Sequence, residues 1–452
     1  MRRFFCFTLC ASLCIAWISS FAEEIRVNLN TASPLQPLYI GKIQGKNTSF
    51  SISYLNQLEG ILSYDFNYNG MTVVFPRSVE KEKLLQNQEE RVAFNPAAWK
   101  EMGIAYALQL TLQGNTLHAS CFTTQSGSLK KFSSITLNGK LHEDRVRIHK
   151  LADAVFKTLF QTDGVASSRL LFAYQTKARN GDKDSISEIW ECDWDGGNLK
   201  QITHENSYCV TPVLLPYSSQ FGNDKFLYVS YKLGQPKIYI ASLSDGVGER
   251  LIDLRGNQIL PSVSQKRDKI AFISDAGGRT DLFVQPFDSA NFDRDKPVQL
   301  YSYPRSTQAS PTFSPDGSTI AFVSDKDGGT RIYTLPANSS SKRGNAILIT
   351  KKNKENTCPS WSPDGKKIAY SAKTNGIRQI WIYDLVSKEE NQLTTGPGNK
   401  ENPCWAPDSK HLVFNSTDAD VSELYVVNLN QPDAIKITKG PGKKHYPAWG
   451  KR

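Results

Sequence analysis

The sequence lacks every short motif that marks a common enzyme active site. It has no Gly-x-Ser-x-Gly nucleophile elbow, no His-Glu-x-x-His zinc motif, no phosphate-binding loop and no Gly-x-Gly-x-x-Gly dinucleotide fingerprint. Its six histidines never fall at metal-ligand spacing, and no Cys-x-x-Cys pair occurs. We therefore expect a protein that is not an enzyme and that has no catalytic, cofactor-binding or metal-binding residues.

Charge of one sign is not in large excess either. The 452 residues carry a net charge of +10 at pH 7, and the mean hydropathy is −0.42. Without Arg2 and Arg3, 52 basic residues face 44 acidic ones, and the remaining +8 divides into +3 on residues 23–160 and +5 on residues 161–452. Neither part is strongly polarised, so a soluble protein of two or three domains is favoured over a nucleic-acid binder.

Long apolar runs are absent except at the start of the chain. Met1-Arg2-Arg3 is followed by an apolar or small-residue run to Trp17, and Ser20-Phe21-Ala22 offers small residues for cleavage. The run is shorter than the ~20 residues that a membrane-spanning helix needs. We predict a signal peptide over residues 1–22 that is cleaved near Ala22, export to the periplasm, and no membrane span in the mature chain.

Few cysteines remain after that cleavage. The five that do are odd in number and scattered, which favours free thiols in the core over a disulfide framework. Cys358 and Cys404 flank matching prolines of neighbouring repeats, so a disulfide between them is the alternative that the spacing leaves open.

What the chain does have is an internal repeat. A proline recurs at spacings of 44 to 50 residues, and in later repeats it begins the pattern Pro-x-aromatic-Ser-Pro-Asp-Gly. Pro-Asp-Gly is typical of a tight turn between two strands. A third strand in each repeat carries an aromatic residue, and a fourth is short. The prolines are Pro212, Pro261, Pro311, Pro359, Pro403 and Pro447.

Four short strands in each of six repeats predict a six-bladed β-propeller over residues 169–452. The first repeat begins at its second strand, and the chain ends with a segment, Tyr446–Trp449, that resembles the missing first strand. We therefore predict that the C-terminal strand closes the ring by completing the first blade, which removes exposed sheet edges.

Residues 23–162 do not show this repeat, and their pattern of apolar residues predicts a small α/β domain. Helical spacing covers residues 49–64 and 146–160, Asn95 and Pro96 begin a short helix, and a hairpin turns at residues 113–115. Residues 163–168 are the predicted linker. The predicted fold class is thus a small α/β N-terminal domain followed by an all-β propeller.

This arrangement resembles the TolB family, the periplasmic component of the Tol–Pal system. The more specific matches are Asn95-Pro-Ala-Ala-Trp99 with Gly103-Ile104, the helix that runs through Gly164 into the first repeat, and the terminal Tyr446-Pro-Ala-Trp449. The resemblance implies a non-enzymatic, monomeric adaptor between inner-membrane TolA and the outer-membrane lipoprotein Pal, active in outer-membrane integrity and cell division. It also implies that the N-terminal strand binds TolA and that one mouth of the propeller binds Pal.

Two sets of candidate residues follow. The TolA-binding strand would comprise Glu23, Glu24, Ile25, Arg26, Val27, Asn28 and Leu29. The Pal-binding residues would lie on the varied, polar segments that lead into each repeating proline, around the channel mouth opposite the Pro-Asp-Gly turns. These rim candidates are Tyr208, Gln258, Arg305, Gln308, Glu355, Asn356, Glu401, Asn402, His445 and Tyr446.

Two other functions stay open on sequence grounds. One is a propeller-containing hydrolase, which would need an α/β-hydrolase domain about twice the size of residues 23–162. The other is a propeller that binds a small ligand or ion in its channel. Asp193-Trp-Asp-Gly-Gly197 resembles a calcium loop but lacks the distal ligands, so we predict a turn there. The Lys443-Lys444 and Lys451-Arg452 pairs are predicted to be solvated.

Overall fold

The structure is a computed structural model. It describes residues 26–27, 33–86, 95–176, 186–218, 222, 224–287, 296–338, 346–431 and 433–452. The predicted signal peptide lies outside these residues. Within the described part of the chain, no helix is both long enough and apolar enough to cross a membrane.

The first part of the chain forms one mixed sheet with helices packed on it, which we call the α/β unit. Strand β2 pairs in parallel with β4 and β5, and β5 and β6 form the predicted hairpin. Its elements are β2 (Gln36–Ile40), β3 (Gln44–Lys46), α1 (Ile52–Asn67), β4 (Thr72–Val74), α2 (Val79–Gln86), α3 (Pro96–Glu101), β5 (Tyr106–Gln113), β6 (Thr116–Thr123), β7 (Ser128–Lys131), β8 (Ile135–Thr136) and α4 (Leu141–Phe160).

Local sequence signals set the helix ends. The Ser51 side chain caps α1 by accepting from Tyr54 N–H at 3.2 Å. The Asn95 side chain caps α3 as predicted, with Pro96 in the first turn. Helix α4 is longer than predicted, beginning at Leu141, and it ends at Gln161 in the left-handed conformation.

The rest of the chain forms antiparallel sheets of the repeat. The third strands carry the predicted aromatic residues. The strands are β9 (Arg169–Gln175), β10 (Ser187–Asp193), β11 (Lys200–Gln201), β12 (Cys209–Leu214), β13 (Lys225–Ser230), β14 (Lys237–Ser242), β15 (Glu249–Arg250), β16 (Gln258–Val263), β17 (Lys269–Ser274), β18 (Asp281–Pro286), β19 (Val298–Tyr301), β20 (Gln308–Phe313), β21 (Thr319–Ser324), β22 (Arg331–Pro336), β23 (Ile347–Leu348), β24 (Asn356–Trp361), β25 (Lys367–Thr374), β26 (Ile377–Asp384), β27 (Glu390–Gln392), β28 (Thr394–Thr395), β29 (Asn399–Trp405), β30 (His411–Asp418), β31 (Val421–Asn428), β32 (Ile435–Lys436) and β33 (Lys443–Gly450).

Each repeating proline lies inside a strand and not at its start. The strands that contain it, β12, β16, β20, β24, β29 and β33, are called the proline strands. In each, the ladder with the antiparallel partner shifts register around the proline; the partner is the next strand in five cases and β9 for β33. Proline has no N–H to donate, and a bulge is a place where a strand tolerates that loss.

The proline strands pack against one another in sequence. β12 contacts β16, and the series continues through β20, β24 and β29 to β33, which in turn contacts β12. The C-terminal strand β33 also pairs antiparallel with β9, from Lys443 opposite Gln175 to Gly450 opposite Arg169. The last strand of the chain therefore belongs to the sheet of the first repeat.

The α/β unit and the repeat share one apolar core. Leu58 and Val155 of the α/β unit belong to the same cluster as Leu170, Trp194 and Trp449 of the repeat. The predicted linker is part of this packing, because Val165, Ala166 and Ser168 are buried. Asp153 on α4 accepts from the backbone N–H of Ala166 and of Ser167, each at 2.9 Å.

All five cysteines after the predicted signal peptide are free thiols, and three are buried. Cys358 donates to Asn402 Oδ1 at 3.1 Å, and Cys404 accepts from Trp449 N–H at 3.4 Å. The two sulfurs therefore have separate partners, and the disulfide left open by the spacing is not formed.

Candidate partner-binding rim

The two faces of the repeat are not equivalent. The strands within each sheet alternate in direction. One face of the repeat therefore holds the end of each proline strand, the start of the strand that pairs with it and the end of the strand after that. The α/β unit is hydrogen-bonded to that face: Tyr68 O lies 2.9 Å from His411 Nε2, and Gly70 O accepts from Asn430 at 2.7 Å. The segments that lead into the proline strands lie on the opposite face, which we call the rim face.

Seven of the ten predicted rim residues have accessible side chains on the rim face. Arg305 and Glu355 are exposed, and the other five are partly buried. Those five are Tyr208, Glu401, Asn402, His445 and Tyr446.

The other three predicted rim residues are buried, which corrects the expectation that they contact a partner. Gln258, Gln308 and Asn356 are exposed by 0%, 2% and 0%. Each begins a proline strand, three residues before the proline. Gln258 donates to Leu254 O at 2.7 Å and Asn356 to Asn353 O at 2.9 Å, so these amides hold the connecting segment.

Lysines take the same position in two later repeats. Lys400, at 0% exposed, donates to the carbonyls of Gly396, Pro397 and Gly398. Lys444, at 2%, donates to Gly440 O at 2.8 Å and pairs with Glu423 at 3.0 Å. The prediction that the Lys443-Lys444 pair is solvated is therefore wrong for Lys444, because its three donors are needed inside the fold.

A second repeating feature lies immediately before each proline. The residue there has a positive φ in all six proline strands, although none is glycine. A left-handed non-glycine residue costs free energy and persists only where its surroundings impose it. These residues are Thr211 (φ 49°), Leu260 (53°), Ser310 (46°), Cys358 (52°), Asn402 (53°) and Tyr446 (53°).

Aromatic side chains converge where the two ends of the repeat meet. The rings of Tyr208 and Tyr231 pack edge to face with centroids 5.6 Å apart, and those of His445 and Tyr446 lie 6.0 Å apart. Burial raises the pKa of Tyr446 to about 12, and the neighbouring Cys358, Tyr208 and Glu401 groups add to the shift. These aromatic groups are the kind that dominate protein interfaces.

The charged residues of the rim face form pairs. Glu401 lies 3.4 Å from Arg378, and burial still raises the pKa of Glu401 because it outweighs that arginine. Glu355 lies 3.2 Å from Lys373. Burial, followed by the nearby Lys443 charge, lowers the pKa of His445 to about 4, so His445 is neutral at pH 7. The rim thus presents aromatic groups and a neutral His445 beside one partly buried ion pair, Glu401–Arg378, and one exposed pair, Glu355–Lys373.

Sequence reasoning missed three residues of this face. Each of them lies in or next to the turn that joins the second and third strands of its repeat: Tyr231, Lys373 and Arg378. In an antiparallel sheet this turn falls on the same face as the segment leading into the first strand. The alternating direction of successive strands, applied to the sequence, could therefore have identified these three residues.

One cluster outside the rim brings together groups that can bind a metal ion. Ligand atoms of His149, Asp193 and Asp195 lie within 4.8 Å of one another. The guanidinium of Arg145 already lies against both carboxylates, 3.3 Å from Asp193 and 2.5 Å from Asp195. Arg145 therefore supplies the positive charge that a cation would bring. Asp193–Gly197 forms the predicted turn, with Gly196 N–H donating to Asp193 O at 2.9 Å.

Only part of the predicted TolA-binding strand falls within the described residues. Strand β1 (Arg26–Val27) pairs antiparallel with β28, Arg26 opposite Thr395 and Val27 opposite Thr394. Glu23, Glu24, Ile25, Asn28 and Leu29 lie outside the described residues. The partner of the described part is therefore a strand of the repeat, and not the sheet of the α/β unit.

A circle of mutually packed strands, five of them at the edge of a sheet and the sixth, β33, between β9 and β31, defines the class: the chain is a β-propeller protein. Residues 156–452 match the family model described as TolB beta propeller domain. With that match over more than half of its length, the chain belongs to the TolB family.

Whole-chain comparisons agree with this assignment. The Protein TolB homolog of Protochlamydia amoebophila (strain UWE25) is 46% identical over 402 residues, which are 88% of this chain and 86% of that protein. The Protein TolB homolog of Chlamydia caviae is 34% identical, over 89% of this chain and 87% of that protein. The crystal structure of TolB from Acinetobacter baumannii has the same fold, with a TM-score of 0.73 at 18% identity, and the match covers 95% of this chain and all of that one.

Proposed function

We propose that this chain is a non-enzymatic periplasmic adaptor of the Tol–Pal system. It would link inner-membrane TolA to the outer-membrane lipoprotein Pal, and so support outer-membrane integrity and envelope constriction at cell division. The observation that carries this proposal is the combination of TolB family membership with a rim face that the α/β unit leaves uncovered. The apolar start of the sequence supports export, with residues 1–22 removed.

The proposed architecture is a six-bladed ring over residues 169–452, joined to the α/β domain through residues 163–168. The circular packing of the six proline strands supports six blades, and the pairing of β33 with β9 supports closure by the C-terminal strand.

The proposed Pal site is the rim. Its accessible members offer aromatic anchors at Tyr208 and Tyr446 and charged groups at Arg305, Glu355 and Glu401. The opposite face is hydrogen-bonded to the α/β unit at Tyr68 and Gly70, which makes it a poorer place for a second protein. Partly buried aromatic groups beside polar and charged ones are typical of protein interfaces.

The proposed TolA site is the N-terminal strand, residues 23–29. Among the described residues, β1 pairs with β28 through Arg26 and Val27, so binding of this strand to a partner would require its release from β28. A released strand can bind by adding to the edge of a partner's sheet.

Capture from detergent-solubilised cell envelopes tests the proposal. Tagged protein beginning at Glu23 should retain both Pal and TolA. Protein lacking residues 23–30 should retain Pal, keep its melting curve, and lose TolA. Normal TolA capture by the shortened protein would exclude the N-terminal strand as the site. Labelling by a serine-hydrolase probe would instead favour the hydrolase alternative.

A further inference from the structure

Positive charge on the rim face is concentrated in one repeat, the one that contains β24, β25 and β26. Two segments of this repeat lie on the rim face: residues 349–355, which lead into β24, and residues 373–378, around the turn between β25 and β26. Together they contain five cationic side chains and a single carboxylate, that of Glu355. We call these cations the basic sector: Lys351, Lys352, Lys354, Lys373 and Arg378.

The corresponding segments of the neighbouring repeats have no excess of positive charge. Residues 302–307 with 325–330 contain two cations and two carboxylates, and residues 251–257 with 275–280 also contain two of each. In the repeat that follows the basic sector, residues 394–399 with 417–422 contain two carboxylates and no cation. The basic sector therefore belongs to one part of the rim face and is not a general property of the repeat.

The backbone beneath the basic sector is held in place by the fold. Glu390 Oε1 accepts from the backbone N–H of Lys351 at 2.7 Å and from that of Lys352 at 3.1 Å. The Lys352 ammonium donates to the carbonyl oxygen of Glu390 at 2.6 Å. The ladder between β25 and β26 places Lys373 opposite Arg378. The cations are thus presented from fixed backbone positions.

Two members of the basic sector have carboxylates beside them. Glu355 lies 3.2 Å from Lys373, and Glu401 lies 3.4 Å from Arg378. These carboxylates hold the two cations in position on the rim face. The charge of Glu401 also bears on Tyr446, so the basic sector adjoins the aromatic groups of the rim.

Two other members have no counter-charge. The side chains of Lys351 and Lys354 are exposed, and neither ammonium group has a hydrogen-bond or ion-pair partner among the residues that the structure describes. Like charges gathered on a small surface repel one another, which opposes the compact state. Carboxylates brought by a second molecule would relieve that repulsion.

We propose that the basic sector receives carboxylates of the protein that binds at the rim, so that this partner presents an acidic patch to the repeat of β24, β25 and β26. The inference rests on the proposed function and specifies the chemistry of the partner at the same surface. Complementary charges at the edge of an interface act mainly on the rate of association, because they steer the encounter of the two proteins. The aromatic groups nearer the channel then supply the close contacts.

A folded acidic protein fits this surface better than an anionic membrane does. A flat membrane laid on the rim face would also meet Asp418 and Asp420, which are exposed in the turn of the next repeat, and Asp253, whose side chain is 90% exposed. These carboxylates would be repelled by anionic headgroups. A folded partner can place its carboxylates opposite the basic sector alone.

The rate of association with the soluble, lipid-free domain of Pal tests the inference. Lys351→Glu combined with Lys354→Glu reverses the two uncompensated charges. The matched control is Lys266→Glu combined with Lys366→Glu, which reverses two exposed lysines in turns on the opposite face. Both variants have the same net charge, so a difference between them reports the position of the charges and not their number.

At about 0.1 M salt, we expect the association rate constant of the Lys351/Lys354 variant to fall by roughly threefold or more, with the control close to the unaltered protein. At about 1 M salt the difference should disappear, because charges are then screened within about 3 Å. Equal rate constants for the variant and the control at the lower salt concentration would overturn the inference and leave the proposed function intact. Absence of any binding by the unaltered protein would contradict the proposed function, and this inference with it.

Two further measurements cover a variant that does not fold and a membrane partner. Carbodiimide cross-linking of the unaltered complex should join Lys351 or Lys354 to aspartate or glutamate side chains of Pal, and cross-links from other lysines alone would overturn the inference. The unaltered protein should not sediment with phosphatidylglycerol vesicles. Sedimentation that is lost in the Lys351/Lys354 variant and kept in the control would assign the basic sector to a membrane and overturn the inference.

Discussion

The indole N–H of Trp449 donates to the hydroxyl of Ser168 at 2.6 Å. Trp449 lies in the last strand of the chain, and Ser168 immediately precedes the first strand of the first repeat. The hydrogen bond and the antiparallel pairing of β33 with β9 therefore join the two ends of the repeat.

Deletion of residues 445–452 should remove most of this junction. Trp449 and Ala448 are both buried. Burial of one large apolar side chain stabilises by about 1.5–3 kcal/mol, a large part of the ~5–15 kcal/mol that a domain has in total. We expect a large drop in melting temperature or aggregation, measured by calorimetry and light scattering. Lys451→Ala, at an exposed position of the same terminus, is the control and should cost much less. An unchanged melting curve after the deletion would exclude closure by β33.

Adjacent lysines offer a second prediction. Lys444→Met should leave Glu423 buried without its partner and several carbonyls without a donor. Removal of one member of a buried ion pair costs about 3–5 kcal/mol. Lys443→Met, at the partly exposed neighbour, should stay within about 0.5 kcal/mol. Chemical denaturation of both variants measures the difference, and equal effects would contradict the assignment of Lys444 as a buried structural residue.

His445 predicts how the stability of the protein changes with pH. Its pKa of about 4 in the folded protein lies below the ordinary ~6.5. Its contribution to stability is therefore present above pH ~6.5 and is lost as the pH falls toward 4. Relative to wild type, His445→Asn should lose less stability between about pH 7 and pH 4.5, while His204→Asn should follow the wild type. An identical fall in His445→Asn and wild type would contradict the buried, neutral state of His445.

The sequence predicted those helices and strands that carry local signals, whereas α2 and β2 were not predicted. The spacing of apolar residues placed α1, and Asn95 with Pro96 placed the start of α3. The bulge at each proline was not predictable, because the positive φ of residues such as Leu260 and Tyr446 contradicts their intrinsic preference and is imposed by packing between neighbouring strands.

The site was predictable in position but not in detail. Polarity and placement before a proline marked both Glu355 and Asn356, yet the first is exposed and the second is completely buried. Glu355 precedes β24, whereas Asn356 is its first residue and its amide donates to Thr350 and Asn353 inside the fold. Similarly, the sequence predicted that Asp193 and Asp195 are turn residues. Their contacts with Arg145 and His149 depend on tertiary packing, which no local sequence pattern encodes.

The measurement that tests the account most directly is the affinity of the protein for the soluble domain of Pal after substitutions on each face. The rim variant carries alanine at Glu355, Glu401, His445 and Tyr446; Asn356 is excluded because it is buried. The turn variant carries alanine at Asp316 and Asp364. We predict at least tenfold weaker binding, about 1.4 kcal/mol, for the rim variant with unchanged melting, and wild-type binding for the turn variant. Loss of binding in the turn variant with normal binding in the rim variant would contradict the account.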